Sequence, residues 1–517
     1  MAAHDTLAAV DLGSNSFHLQ IGRVVDGQIY PLDAVRDAVR LGAGLTADKR
    51  IDRATQARAL ETLRRFRERL RSFPRAAVRA VGTNTLRVAK NAPQFLREAR
   101  EALGFPIEVI AGREEARLIY VGVAHVLPPS GLKRLVVDIG GGSTEFIVGE
   151  AMAPQLTESL YMGCVSFSLR FFPDGRVDKT RMKAAELAAR QEMSAMVRDY
   201  RDAGWQEAIG SSGTARSIEA ILRENGFTQD GITREGLDRL RALLIRHEAA
   251  DAERIPGLRA ARAPVLPGGL AILVAVCDEL GIDSMQASDG ALRHGVLYDL
   301  LGRVRHEDMR ESTVSQFMRR YQLDAAQAAR VHALAMTVYD ALAAGREPAV
   351  SSGDAAPPRA EDDPDRQMLA WAARLAETGL SIAHAQYHKH SAYVLSNADM
   401  PGFSRMEQQR LARIVLAHRG KLAKVQDAGL DGRDWGLVFA LRLASTILRR
   451  RTDLKLPHLG VSGDESGFAL ELPQRWLEEN PLTADALEAE AREWKAIGMR
   501  LTVSALSDRK MAALARA

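Results

Sequence analysis

The sequence predicts an α/β protein of two related lobes, followed by an all-helical region and a small α+β segment. Three observations point there. A strand, Asp, Gly-rich turn and second strand occur twice in the same order, in AAVDLGSNSFHLQIGRVVDG (8–27) and RLVVDIGGGSTEFIVGE (134–150). Strand and helix signatures alternate up to about residue 310, as in layered α/β folds. Beyond about 311 the period-2 signal fades and amphipathic helical periodicity takes over.

Taken in order, residues 7–32 alternate in β fashion, break at Gly13-Ser14-Asn15 and turn again at Asp26-Gly27, which reads as consecutive antiparallel strands. A helix is expected from about 52 to 72. AVRAVGTNTLRVAK (77–90) reads as strand, turn and helix, and PIEVIAGREEARLIYVGVAHVL (106–127) as strand, Gly turn and helix. The second copy of the hairpin follows. Two related lobes that each offer such a loop place both loops naturally in one shared cleft. EPAVSSGDAAPPRAEDDPDR (347–366) reads as a mobile loop inside the helical region. HLGVSGDESGFALELPQRW and the helix after it read as a small α+β cap. The expected domains are therefore 1–128, 129–310, 311–455 and 456–517.

At 517 residues the chain exceeds what one hydrophobic core supports, and 46% hydrophobic with 26% charged residues is an ordinary globular composition. The start lacks a basic segment followed by an apolar one, and no apolar run is expected to reach the roughly 18 residues that span a bilayer. The expectation is a cytoplasmic protein without stable membrane insertion. Cys164 and Cys277 form neither a disulfide framework nor a CxxC metal motif, and read as reduced core residues. RALETLRRFRERLRS (58–72) carries six Arg against two Glu, which makes a solvated helix face or a landing surface for a polyanion.

Gly140, Gly141 and Gly142 leave backbone amides uncovered by side chains, and such amides can cradle phosphate oxygens; an ordinary hairpin turn has the same look. Asp138 ends the strand before the glycines, and Glu145 sits where both carboxylates can face one ion from the two arms of the hairpin. Hard oxygen donors of this kind suit Mg²⁺, which takes one or two carboxylates, waters and substrate phosphates. The echoing loop, Asp11 with Ser14, Asn15 and Ser16, supplies hydroxyl and amide groups for the opposite side of the same anion.

The residues AAVDLGSNSFH, VGTNTLR, GREEARLIYVGV, VVDIGGGSTEF, MGCVSF, GSSGTARS and SDGALRHGVLY, in that order, closely resemble the exopolyphosphatase/guanosine pentaphosphate phosphatase (Ppx/GppA) family. The resemblance covers nearly the whole chain. It implies two ribonuclease H-like (actin-like) lobes, an HD-like helical domain, a small C-terminal domain, and Mg²⁺-dependent removal of terminal phosphate from inorganic polyphosphate. It further implies Glu115 as the base that deprotonates the attacking water. Asp138, Glu145 and Asp11 would serve the Mg²⁺. Ser14, Asn15, Ser16, Thr83, Asn84, Arg87, Gly140, Gly141, Gly142, Ser143, Thr144, Ser212 and Gly213 would grip the phosphoryl group. Read without the resemblance, Glu114 and Glu115 are first-turn helix acids and Arg87 a surface arginine.

GSSGTARS and SDGALR also resemble the segments that bracket adenosine in sugar kinases, which keeps a kinase reading open; a polyphosphate-binding or sensor protein is the non-enzymatic alternative. The helical region resembles an HD phosphohydrolase, but Ala376-Glu377 stands where the His-Asp pair falls, so no second active site is expected. His384, Lys389, His390, His418, Arg419 and Lys421 gather basic character there, and the resemblance implies a hold on the distal polyphosphate chain. GGGST, SDGALR, HKHSAY and AHRGK favour exopolyphosphatase over the guanosine pentaphosphate (pppGpp) branch. The partners expected are thus polyphosphate or pppGpp, no nucleic acid, and a second copy of the chain in a homodimer.

Overall fold

A computed structural model describes residues 5–25, 27–128, 131–304, 308–344, 363–426, 428–453, 456–464 and 466–507. The chain divides into two compact units, Met1–Met309 with Pro401–Arg405, and Arg310–Met400 with Met406–Ala517.

The first unit holds two sheets. The N-terminal one is built from β1 (Thr6–Leu12), β2 (Phe17–Val25), β3 (Gln28–Asp37), β4 (Val78–Gly82) and β5 (Ile107–Val109), with helices α1 (Arg53–Leu70), α2 (Asn84–Val88), α3 (Ala92–Leu103) and α4 (Gly112–Val126) between and after them. Its strand order is β3-β2-β1-β4-β5, with β1 antiparallel to β2 and parallel to β4. The next sheet is built from β6 (Lys133–Ile139), β7 (Thr144–Glu150), β8 (Ala153–Leu160), β9 (Glu207–Ser211), β10 (Ile232–Thr233) and β11 (Ser284–Ala287). Its helices are α5 (Cys164–Phe171), α6 (Lys179–Met193), α7 (Val197–Ala203), α8 (Ser212–Glu224), α9 (Arg234–His247), α10 (Leu266–Leu280) and α11 (Leu292–Val304).

The order β10-β11-β9-β6-β7-β8 repeats the first sheet's plan, a three-strand antiparallel meander continued by two parallel strands, and adds the short antiparallel edge strand β10. The duplication expected from sequence is therefore a duplication of topology. The turn expected at Asp26-Gly27 joins β2 to β3, although Asp26 lies outside the described residues.

The lobes exchange helices. α4 packs on β7 and β8 of the second sheet, while α11 packs on β1, β2 and β4 of the first. The two helices meet through glycines: a methyl carbon on Gly295 would sit 1.7 Å from the Leu118 carbonyl oxygen, and one on Gly122 would sit 2.4 Å from that of Ala291. Only residues lacking Cβ allow backbones this close. One apolar core accordingly takes Ala9 and Val81 from the first sheet, Val136 and Ile209 from the second, and Leu118 and Val296 from the exchanged helices.

Ala263–Leu280, which includes α10, is long and apolar enough to cross a membrane, contrary to the sequence expectation; 72% of it is buried in the core of the second lobe. Burial on all sides explains the composition. On α1, three of the six arginines are paired, Arg65 with Asp37, Arg69 with Asp33 and Arg64 with Glu61.

The second unit is helical: α12 (Met309–Arg320), α13 (Ala325–Ala344), α14 (Pro364–Leu375), α15 (Tyr387–Asn397), α16 (Arg405–Ala417) and α17 (Gly432–Ile447). It ends in a three-stranded sheet, β12 (Gly460–Asp464), β13 (Gly467–Pro473) and β14 (Arg500–Leu506), with α18 (Gln474–Glu479) and α19 (Pro481–Ala496). Fully buried Arg442 ties α17 to α19 through a two-pronged bond to Glu490, 2.7 Å on each prong. Of the expected loop 347–366, residues 347–362 lie outside the described residues; Asp363 caps α14 by accepting from the Asp365 amide.

Candidate active site

Both hairpin loops reach one cleft in the first unit. A cavity of about 130 Å³ is lined by Asp11, Ser14, Asn15 and Ser16 from the first loop, Asp138, Gly140, Gly141 and Ser143 from the second, and Thr83, Glu115, Ser212 and Gly213 from the elements around them. The glycines serve that convergence. A Cβ on Gly141 would lie 3.0 Å from Ser14 Cβ and 3.2 Å from the Asn15 nitrogen, and one on Gly142 would lie 3.1 Å from Asn84 Nδ2. The second loop thus abuts the first, and the carbonyls of Gly140 and Gly141 accept from the Cys164, Val165 and Ser166 amides that open α5.

Asp138 and Glu145 are register partners across β6 and β7, so their side chains lie on one face of the sheet. The equivalent pair in the first hairpin is Asp11 and His18. The hairpins are related in backbone but not in charge: the second carries a carboxylate where the first carries an imidazole. Asp138 Oδ2 lies 2.7 Å from the Ser211 hydroxyl, and Glu145 Oε1 accepts from the Ser159 hydroxyl at 2.8 Å. Asp11 Oδ1 is buried with no hydrogen-bond partner.

These carboxylates are short of countercharge. Burial, helped by the charges of Glu115 and Asp138, pushes Asp11 up to about 8. Burial lifts Asp138 to about 6 against the Ser211 hydrogen bond, and burial with the charges of Glu115 and Asp138 holds Glu145 well above the carboxylate range. His18 goes the other way, down to about 3, through burial and the nearby Arg293 and Arg36. It is neutral at pH 7.

Among the described residues no three His, Cys, Asp or Glu side chains converge as a metal cage. The donor set still fits Mg²⁺, which completes its shell with water and substrate phosphate, and the orphaned Asp11 oxygen with two raised carboxylates marks a site that a cation would neutralise.

Glu115 sits in the first turn of α4, buried, and its Oε2 accepts from Arg87 Nη1 at 2.6 Å. Arg87 also donates to the Ile110 carbonyl at 3.1 Å. It is a buried arginine whose fork is engaged by the carboxylate, and it does not line the cavity. Glu114 is held apart by Arg117, at 2.7 and 2.8 Å.

Several of the expected phosphate groups are engaged with the protein. Thr85 Oγ1 donates to Ser14 Oγ at 2.8 Å, Thr144 Oγ1 to the Met162 carbonyl at 2.6 Å, and Arg36 to Ser16 Oγ at 3.3 Å. Asn84 and Gly142 line a neighbouring cavity of about 480 Å³ on the other side of the glycine loop. Ser212 opens α8 with φ +89°, a conformation costly for a side-chain-bearing residue and typical of functional turns.

Sequence reasoning missed the arginines. Arg36, Arg216, Arg262 and Arg293 all line the cleft, and burial, followed by the charges of neighbouring arginines, lowers Arg36, Arg262 and Arg293. Arg216 pairs with Asp289 at 2.6 Å. Among the described residues Arg36 and Arg262 have no carboxylate within 4.0 Å, and Arg262 lies so close over Gly213 that a Cβ there would meet its guanidinium at 1.7 Å. Arg216 and Arg293 belong to GSSGTARS and SDGALR, where a signal was available; Arg36 and Arg262 stand in no motif.

In the second unit, His384, His418 and Arg419 line a separate cavity, whereas Lys389, His390 and Lys421 do not. His418 is buried, its Nδ1 donating to the Val415 carbonyl and its Nε2 accepting from Tyr387 at 3.3 Å. Burial takes it down to about 3, so its ring is neutral and structural. Glu377, at the broken His-Asp position, is held by Arg451 at 2.6 Å.

A cleft between two duplicated α/β lobes that gathers Asp11, Glu115 and Asp138 with Arg36, Arg216, Arg262 and Arg293 defines an enzyme that handles phosphoryl groups. The model of the Ppx/GppA phosphatase family matches residues 20–304, and that of domain III of the Ppx/GppA phosphatases matches 309–491. The chain belongs to the Ppx/GppA phosphatase family and is a hydrolase of phosphoanhydride bonds. It is 38% identical over 501 residues to a guanosine-5′-triphosphate,3′-diphosphate pyrophosphatase of Vibrio atlanticus, covering 96% of this chain and 98% of that one. A relative with the same name from Aeromonas hydrophila is 38% identical over 495 residues, covering 95% and 97%. Among solved structures, an exopolyphosphatase of Cytophaga hutchinsonii shares the fold, at 24% identity and TM-score 0.53, over 58% of this chain and 98% of that one. An exopolyphosphatase-like protein aligns at 26% identity and TM-score 0.52, over 57% and 97%.

Proposed function

We propose that this protein removes the terminal 5′-phosphate of guanosine 5′-triphosphate 3′-diphosphate by direct attack of water. The relatives reverse the order of substrates expected from the sequence, since those matched along nearly the whole chain carry the pyrophosphatase name. The observation that carries the reading is that one cleft gathers three carboxylates, Asp11, Glu115 and Asp138, with four arginines. The arginines offer more positive charge than one terminal phosphate needs, which suits a substrate with several phosphates.

The terminal phosphoryl group lies against the two loops, where Ser14, Asn15, Ser143 and the glycine backbone orient it. Asp138 and Glu145, with Asp11 nearby, would hold Mg²⁺, which when bound supplies neutralisation of charge on the phosphoryl oxygens. Glu115 takes a proton from water as the water oxygen bonds to the terminal phosphorus. The bond from phosphorus to the bridging oxygen breaks, and its electron pair leaves with the shortened nucleotide. Arg87 holds the Glu115 carboxylate in place, while Arg36, Arg216, Arg262 and Arg293 grip the remaining phosphates.

Inorganic polyphosphate is the second reading, supported by the likeness to the exopolyphosphatase-like protein and by the chemistry of an arginine-lined cleft. Competition of the two substrates at equal phosphate concentration tests the choice. The proposed function predicts that pppGpp is consumed first and ppGpp accumulates; preferential loss of polyphosphate would reverse the assignment.

A further inference from the structure

The helical unit contains a cavity of about 830 Å³, enclosed by α13, α14, α15, α17 and α19. That volume lies within the range of small-molecule sites. Its walls carry two chemistries. Leu323, Ala328, Val331 and Leu380 form an apolar side. Arg449 and Arg450, just past the C-terminus of α17, line the same cavity; both are exposed, and among the described residues neither has a carboxylate within 4.0 Å. Arg419 reaches the same space, stacked 5.1 Å above the Tyr387 ring.

We propose that this cavity is a binding site of its own for a nucleoside polyphosphate, with the phosphates on Arg449, Arg450 and Arg419 and the base against the apolar wall. Metal-dependent chemistry has no footing there, because Ala376 and Glu377 replace the His-Asp pair and Glu377 is engaged by Arg451. A bare polyphosphate chain would use the arginines but has nothing to place on Leu323, Val331 and Leu380. A base uses both. Asp485, exposed on the α19 side of the cavity, suits a ribose hydroxyl but opposes a phosphate. The proposal does not rest on which substrate the cleft hydrolyses.

The test is GTP binding to the full-length Glu115→Gln protein by equilibrium dialysis. Two sites per chain are expected. Adding Arg449→Ala and Arg450→Ala should weaken one of them by about tenfold or more, the effect of losing two charge-assisted contacts, and leave the other. In the wild-type background the same two changes should leave the rate of phosphate release unchanged. Tripolyphosphate at the same concentration should not displace GTP from the weakened site. A single site, two sites indifferent to these arginines, or equal displacement by tripolyphosphate would overturn the proposal. A second measurement needs no variant: 8-azido-GTP photolabelling of the wild type should mark residues 323–331 or 380–388, and labelling confined to the cleft loops would contradict it.

Discussion

Arg87 Nη1 lies 2.6 Å from Glu115 Oε2, and both side chains are buried. The ion pair fixes where the Glu115 carboxylate points, and a general base must be aimed at the water it deprotonates. Replacing Arg87 with Gln removes the pairing charge while keeping an amide donor. Misaiming the base should lower kcat by about 10- to 100-fold, part of what a positioned base contributes, with KM nearly unchanged. Steady-state phosphate release by the variant measures both constants. A direct phosphate contact by Arg87 would instead raise KM.

The second prediction comes from comparing the hairpins. Asp138 faces Glu145 in one, and Asp11 faces His18 in the other. If the charged pair holds the cation, Asp138→Asn and Glu145→Gln should each raise the Mg²⁺ concentration for half-maximal activity by at least 10- to 100-fold, about what perturbing a metal site's support costs. His18→Gln should leave it unchanged. Titrating Mg²⁺ in phosphate-release assays of the three variants checks this.

A third concerns the helical unit and pH. His418 is fully buried and neutral, with its folded value near 3, below the ordinary 6.5. A group depressed in this way contributes stability that is complete above about 6.5 and is lost as pH falls towards 3. Between pH 7.5 and pH 5 this single histidine should cost about 2 kcal/mol, one pH unit being worth about 1.4 kcal/mol once the unfolded chain is protonated. His418→Gln should be less stable than wild type at pH 7.5, with the gap narrowing by that amount at pH 5. Urea midpoints at the two pH values measure it. Buried His388, lowered to about 4, adds a loss of the same sign in both proteins.

Much of the candidate site was legible in sequence because it is local. A strand ending in Asp138, a short glycine turn and a strand beginning at Thr144 fix Glu145 opposite Asp138 by register alone. Glu115 was readable as a first-turn acid of a helix, but its pairing with Arg87 spans separate elements and has no periodic signature. The same holds for Arg262, which stands just before α10 and reaches the cleft only because the second lobe folds over Gly213. The exchange of α4 and α11 between lobes depends on Gly122 and Gly295 meeting backbone far along the chain, and a lone glycine in a helix does not announce its partner. The apolar length of Ala263–Leu280 escaped the sequence reading, and its composition follows from burial on every side in the core.

The measurement that bears most directly on the cleft as the seat of hydrolysis is single-turnover phosphate release from pppGpp by Glu115→Gln, with Mg²⁺ present and substrate binding measured in parallel. A general base at Glu115 predicts release slowed by about 10² to 10⁴, the usual contribution of a positioned base, with binding retained. Release at nearly the wild-type rate would show that some other group activates the water, and would contradict a general-base role for Glu115.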